Sequence, residues 1–352
     1  MRARARARVC VVSHKSRPNP RPRACPFPFT SVLLFAFCLS ACESPLPPPL
    51  ADGQFAFAVL GDAPYNRAEE RLFAHLVRGL EDEELEWVIH LGDIIGTPCT
   101  DSIYLARREL LRAIGHPVIY TPGDNEWTDC HRRSLGSYQP LERLRKLREV
   151  FFTDTDGNIA RSGLTLISQA QNPAWPEFVE NRRWMHGGIV FATVHLVGSR
   201  NGMLDFDGRT DADDEEVTRR ASAAVAWLQE TFAQARANQA RAVVLATHAD
   251  LALERGRGSR NRKPFQPFID ALATEVEAFG ASVLVVHGDG HNLTIDQPLT
   301  SSKSGETLTN LTRIEVLGSP GVGWIRIVAD TLREPRFSFQ PERVSWLRLL
   351  SR

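Results

Sequence analysis

The fold is decided by FAVLGDAPY at residues 57–65, an apolar run that stops at Gly61-Asp62. The phrase returns twice: WVIHLGDIIG at 87–96 closes on Gly92-Asp93, and VIYTPGDNEW at 118–127 closes on Gly123-Asp124. Two later runs end in imidazoles, AVVLATHAD at 242–250 with His248 and VLVVHGDGH at 283–291 with Asp289 and His291. Short apolar, β-branched runs bounded by glycine read as buried strands. In α/β sheets the crevice beyond the carboxyl ends of the strands is where ligands bind. A lone Gly-Asp is a common turn dipeptide, and a lone strand-end histidine is more often a hydrogen-bonded core residue. Recurrence on successive strands is what points to a site. The glycine before each aspartate is expected to let the backbone turn sharply, so that the carboxylate enters the crevice. Carboxylates gathered this closely repel one another, and metal cations relieve that repulsion.

Helical periodicity fills the intervals. Leu72, Phe73, Leu76, Val77 and Leu80 share one face, as do Leu141, Leu144, Leu147 and Phe151. Asp101 is placed to cap a helix carrying Leu105, Leu110 and Leu111, and a later helix carries Val225, Leu228 and Phe232. Further strands are expected at 189–197, 313–317 and 323–329. Such alternation implies a sheet covered by helices on both faces. Asp205 to Glu216 is acid-rich and reads as a solvated loop and helix start, since acids favour a helix N-terminus. Arg255 to Lys263 (RGRGSRNRK) is the main basic cluster of the body.

The N-terminal segment is of another kind. The chain has 352 residues with 42 Lys+Arg and 42 Asp+Glu, but residues 1–41 hold basic residues and no acid, which leaves a net acidic body. An acidic body argues against nucleic acid as a partner. A basic stretch, the apolar run Phe29 to Leu39, and Leu39-Ser40-Ala41-Cys42 make a secretory signal resembling a bacterial lipobox, with Cys42 as the lipidation site. The run is too short to span a bilayer. The expected layout is a signal peptide at 1–41, a Pro-rich tether at 42–54 and one domain at 55–345. The expected location is the cell envelope, lipid-anchored at the periplasmic face or cell surface, or secreted if Cys42 is not lipidated. With Cys10, Cys25 and Cys38 in the leader, Cys99 and Cys130 remain as a pair in an oxidising compartment and read as one disulfide.

The strand-end motifs together resemble the calcineurin-like metallophosphoesterases, whose successive blocks read D-x-H, G-D, G-N-H-[DE], a lone His, and G-H-x-H. The match runs from Phe55 to about Val328 in matching order, in a branch marked by GDxPY and GDNEW. The resemblance implies an α/β fold, a four-layer α/β/β/α sandwich with its metal site at the carboxyl ends of the strands. It implies two divalent or trivalent ions: Asp93 bridging, Asp62 and His291 at the first, and Asp124, His248 and Asp289 at the second. The donor set is oxygen-rich and favours Mn or Fe over Zn, with Mg also open. Three departures stand out. Pro64 occupies a ligand position, where Tyr65 or water would substitute. Asp124 and Asp289 replace Asn and His ligands. Asn125 replaces the usual catalytic histidine.

The implied reaction is hydrolysis of a phosphate mono- or diester by a metal-activated hydroxide, with ions about 3.5–4 Å apart. Asn125 donates a hydrogen bond but moves no proton, so His131 is the leading candidate for the acid, with His195 and His287 behind it. The loop after His195, with Ser199, Arg200 and Asn201, is a candidate phosphate contact, though an ordinary turn fits equally well. The expected partners are a small phosphate ester and, through the anchor, a membrane; no nucleic acid and no protein partner is implied. The alternative is a metal-binding but catalytically weak envelope lipoprotein.

Overall fold

The computed structural model describes residues 49–153 and 164–344. The leader, Cys42 and most of the tether lie outside them. Among the described residues no helix is long and apolar enough to cross a membrane.

The strands are β1 (Gln54–Leu60), β2 (Val88–His90), β3 (Val118–Tyr120), β4 (Ile167–Ser168), β5 (Arg182–His186) and β6 (Ile189–Thr193). They continue as β7 (Ala242–Ala246), β8 (Ser282–His287), β9 (Thr294–Asp296), β10 (Leu311–Glu315), β11 (Val322–Asp330) and β12 (Phe337–Val344). These form two sheets, in the orders β12-β11-β1-β2-β3 and β4-β5-β6-β7-β8-β10-β9. β1, β2 and β3 run parallel in the first, and β6, β7, β8 and β10 run parallel in the second.

The two-residue side-chain period divides each strand between two cores. Ala58 and Leu60 face helices Arg67–Glu81, Asp101–Arg112 and Pro140–Phe151, packing with Phe73, Leu76, Tyr104 and Leu147. Phe57 and Val59 turn the other way and meet Phe191, Val244, Leu284 and Val286 of the second sheet. On that sheet Val243, Leu245, Val283 and Val285 face outward against helices Asp211–Ala237 and Gln266–Phe279. The result is four layers, helix–sheet–sheet–helix. Strand–helix alternation alone suggested one sheet with helices on both faces; instead each sheet has helices on one face and the other sheet on its second. Both arrangements bury both faces of a strand, so both give the same unbroken apolar runs.

Other departures are local. The second helix is capped by Thr100, whose side chain accepts from Ile103 N–H, while Asp101 sits inside the first turn and pairs with Arg143 at 2.8 Å. The acidic run does start a helix, where Asp213 Oδ2 accepts from Thr210 N–H at 2.8 Å. β5 carries no apolar signal because its arginines are buried: the Arg183 guanidinium lies 4.4 Å from the centre of the Trp227 ring and pairs with Glu230 at 2.8 Å. β12 contains Pro341, which an edge strand tolerates.

Cys99 and Cys130 are bonded and fully buried, joining the segments that follow β2 and β3 across a sequence separation of 31. Both sulfurs lie near the Asn125 carbonyl oxygen, at 3.5 and 3.4 Å. Replacing both cysteines by alanine is expected to lower the unfolding free energy in urea by about 3–4 kcal/mol. A loss below about 1 kcal/mol would show that packing alone holds these two segments.

Candidate metal centre

β1, β2 and β3 deliver Asp62, Asp93 and Asp124 to the rim where the two sheets meet, and β7 and β8 bring His248, Asp289 and His291 to the same rim. His248 sits at the middle, fully buried. Its Nε2 is 3.2 Å from Asp124 Oδ1, 3.5 Å from Asp93 Oδ1 and 3.9 Å from Asp289 Oδ1, and its Nδ1 is 2.8 Å from the Leu91 carbonyl oxygen. Asp62, Asp93 and His248 place donor atoms within 4.8 Å of one another, as do Asp124, His248 and Asp289. His291 Nε2 lies 3.6 Å from Asp62 Oδ1, and Asp62 Oδ1 accepts from Asp289 N–H at 3.0 Å, a bond between the two sheets.

The glycines act differently from expectation. Of those preceding the aspartates only Gly92 has a positive φ, at 89°; the aspartates take the left-handed torsion themselves, with φ of 54° at Asp62, 53° at Asp93 and 73° at Asp289. Gly123 and Gly288 are glycine for space. A Cβ on Gly123 would stand 2.0 Å from Asp93 Oδ1, and one on Gly288 would stand 2.3 Å from Asp62 Oδ2. Non-glycine residues in this region cost about 1–3 kcal/mol each and persist only where their surroundings fix them.

Glu126 supplies much of that fixing, and sequence reasoning passed over it. The side chain is fully buried and accepts from Asp93 N–H at 3.0 Å, Gly123 N–H at 2.7 Å and Ile94 N–H, tying the ends of β2 and β3 together. The only available signal was its place in the GDNEW motif.

The Gly198–Gly202 turn closes one side. Ser199, Arg200 and Asn201 are consecutively left-handed, with φ of 49°, 56° and 58°, and a Cβ on Gly198 would come 2.3 Å from Asp289 Oδ1. Arg220, fully buried, holds the turn by donating to the Asn201 carbonyl oxygen at 3.0 Å and to Asn201 Oδ1. Asn201 therefore faces the interior, 1% exposed, and its side chain is not presented for the phosphate contact expected of it. Ser199 Oγ donates to Asp129 Oδ1 at 2.7 Å and accepts from Arg132 at 3.2 Å. Arg200 is partly exposed, and its side chain forms no ion pair among the described residues.

Of the candidate acids, His195 is fully buried against Glu180, with Nδ1 2.6 Å from Glu180 Oε1, and His287 is 1% exposed. Burial pushes the pKa of His195 down and that of His287 down to about 4. His131 is partly exposed; its Nδ1 lies 2.6 Å from the Thr128 carbonyl oxygen, and its ring stacks on Phe206 with centroids 4.5 Å apart. The structure joins it to these groups by hydrogen bond and stacking, and no hydrogen bond links it to the six clustered side chains.

The profile of the family described as calcineurin-like phosphoesterase matches residues 55–293. This chain belongs to the calcineurin-like phosphoesterase family. No curated protein matches it. Among solved structures, the TT1561 protein of Thermus thermophilus is 12% identical, covering 83% of this chain and 99% of its own at a TM-score of 0.44. The phosphopantetheinyl hydrolase of Mycobacterium tuberculosis is 16% identical, covering 76% and 91% at a TM-score of 0.36. A phosphatase of Mycoplasma pneumoniae is 10% identical, covering 85% and 97% at a TM-score of 0.36.

Calcineurin-like phosphoesterases depend on metal, and the residues here fit one. Asp62 Oδ2 is buried with no hydrogen-bond partner, an acceptor open to a cation at the point where the other donors converge. Without an ion, protons substitute. Burial, reinforced by Asp289 and Asp124, pushes Asp62 up to about 7; burial and Asp124 push Asp289 up to about 6. Burial pushes Asp93 well above the usual carboxylate range. Burial opposes charge on His248, but Asp93, Asp124, Asp62 and Asp289 outweigh it and raise its pKa. Burial also works against the charge of Asp124, but the hydrogen bond and charge of His248 bring it down to about 2. Asp62 and Asp289 hold protons more tightly folded than unfolded, so the stability they give at low pH is lost as pH rises through about 6–7; His248, raised in the same sense, adds to the loss as pH rises above its ordinary value. Asp124 acts oppositely, but only well below that window. The metal-stripped protein should therefore melt lower at about pH 8 than at about pH 5, and added Mn²⁺ should raise its Tm more at the higher pH. Equal metal-free melting at both pH values would contradict this electrostatic account. Separately, Glu126→Gln sets an amide N–H against backbone N–H donors and should weaken metal binding by about 10–100-fold, measured by titration calorimetry.

Proposed function

We propose that this chain is a binuclear metal-dependent phosphoesterase of the cell envelope, exported by its N-terminal signal and lipid-anchored through Cys42. The observation that carries the catalytic part is the convergence of Asp62, Asp93, Asp124, His248, Asp289 and His291 from two sheets around an acceptor with no partner. Asp62, His291 and Asp93 would hold one ion; Asp93, Asp124, His248 and Asp289 would hold the other. Such ions supply Lewis acidity towards the phosphate and lower the pKa of water.

The chain's own groups do the rest. Arg200, partly exposed, without an ion pair among the described residues and two positions after the Gly198 that abuts Asp289 and Asp124, would meet the non-bridging oxygens of the ester. Asn125 is anchored by its backbone N–H, which donates to Asp93 Oδ1 at 3.0 Å, and its partly exposed amide offers a hydrogen bond to an ester oxygen. It cannot supply a proton. Of the three histidines considered for that role only His131 is exposed enough to meet a leaving group. The absence of a motif histidine at position 125 favours one competing reading, a metal-loaded binding protein with little turnover.

The deciding assay uses aryl phosphomonoesters and diesters with Mn²⁺ or iron. Wild type should hydrolyse at least one class, and Asp93→Asn should abolish turnover. Arg200→Ala should raise KM several-fold with a smaller effect on kcat. His131→Ala should slow esters of poor leaving groups more than activated ones; equal slowing would remove His131 as the acid. Stoichiometric metal without turnover on either ester would support the binding protein, and absence of bound metal would refute both readings.

A further inference from the structure

Three consecutive left-handed residues make the Gly198–Gly202 turn costly, and two separate anchors hold it. At Asn201 the anchor is the buried Arg220. At Ser199 it is the carboxylate of Asp129, 70 positions earlier in the chain, whose Oδ1 accepts from Ser199 Oγ at 2.7 Å. Between the two anchored residues stands Arg200, whose side chain makes no hydrogen bond or ion pair among the described residues. A strained conformation fastened at both neighbours of a residue, with that residue's own side chain left unused, marks it as the one the strain serves.

Asp129 is built to act as such an anchor. It is 1% exposed, and a buried carboxylate needs a partner for each oxygen. Ser199 meets Oδ1; Arg132 meets Oδ2 at 2.7 Å and also donates to Ser199 Oγ at 3.2 Å. The three side chains close a ring of contacts, and the Asp129–Arg132 pair adds no net charge. Asp129 belongs to the short helical turn Thr128–His131, and its backbone N–H donates to the Asp124 carbonyl oxygen at 3.0 Å. The next residue, Cys130, is bonded to Cys99. The far end of the Gly198–Gly202 turn lies against the same segment, where a Cβ on Gly202 would come 3.1 Å from Thr128 Cγ2. Arg132 alone would give Asp129 a local ion pair. The bond to Ser199 is what carries its influence across to the strained turn.

We propose that Asp129 is a positioning residue: through Ser199 it sets the place of Arg200, and with it the hold of the site on the non-bridging oxygens of the ester. The inference rests on the phosphate contact proposed for Arg200. Asp129 itself touches neither substrate nor metal, and no proton passes through it.

The test is a double-mutant cycle on the full chain loaded with Mn²⁺, using whichever aryl ester wild type hydrolyses. Asp129→Asn should raise KM several-fold with a smaller effect on kcat, as Arg200→Ala does, and Ser199→Ala should do the same to a lesser degree. Added to Arg200→Ala, Asp129→Asn should bring no further rise in KM, because its effect passes through a side chain already removed. Mn²⁺ affinity, measured by titration calorimetry, should stay close to that of wild type, with folding checked by far-UV circular dichroism. If Asp129→Asn does not fold, Ser199→Ala decides through the same cycle. Losses that multiply in the double variant, or an unchanged KM in the folded single variants, overturn the positioning role and leave the phosphoesterase standing. Loss of Mn²⁺ from Asp129→Asn also overturns it, by placing the effect at the metal. A wild type without turnover on either ester overturns the proposed function and this inference together.

Discussion

Carboxylate crowding around His248 is the constraint on which the rest of the molecule depends. Asp62, Asp93, Asp124 and Asp289 come from four strands in two sheets, all near one imidazole. Like charges do not gather in a low-dielectric rim unless something holds them there. The backbone does so by adopting left-handed torsions at three of the aspartates, and by leaving out side chains at Gly123, Gly198 and Gly288, where a Cβ would strike a carboxylate oxygen. Glu126 satisfies the amides exposed by these turns, and the Cys99–Cys130 bond lies next to the Asn125 carbonyl. Each device is local, and each is necessary because the carboxylates do not favour their own assembly.

The same logic explains the Gly198–Gly202 turn. Three consecutive left-handed non-glycine residues are unfavourable for L-amino acids, at about 1–2 kcal/mol each. The buried Arg220 offsets that cost through Asn201, and its own charge is met by Glu216 at 2.8 Å. The strained turn, held by Arg220 and its partly exposed partner Glu216, lies against Asp289 and Asp124 at Gly198. Arg200 lies in the same turn, partly exposed, and its guanidinium forms no ion pair among the described residues.

The positions of the clustered residues were legible because a polar residue ending an apolar strand changes the sequence pattern at that point. The strands β1, β2, β3, β7 and β8 fell close to the expected ranges for this reason. The second sheet was not legible from periodicity, since a strand sandwiched between sheet and helices has the same composition as one between two helical layers. β5 was hidden because Arg182 and Arg183 are buried through ring contacts and ion pairs, a compensation that exists only in three dimensions. Asn201 shows the converse failure. A Ser-Arg-Asn loop reads as a polar contact surface, and nothing in the sequence says that Arg220, 19 positions later, turns the asparagine inward. Glycine's role was half legible: its presence marked the turns, but whether it supplied torsion or space depended on which carboxylate faced it.

Charge balance connects the departures from the family pattern to the chemistry proposed. Asp in place of Asn at 124 and of His at 289 makes the donor set more anionic. Two divalent ions would neutralise the four carboxylates of the proposed set and leave no excess to attract a phosphate dianion. On the proposed function the attraction of substrate must then come from outside the ligand set, the part given there to Arg200. Its freedom from any partner among the described residues is what such a centre requires: a cation paired with Asp or Glu would already be neutralised, while an unpaired one keeps its field for the ester. Under the proposed function the strained turn and the anionic ligand set complement each other, the turn carrying the one positive charge that the neutralised centre lacks.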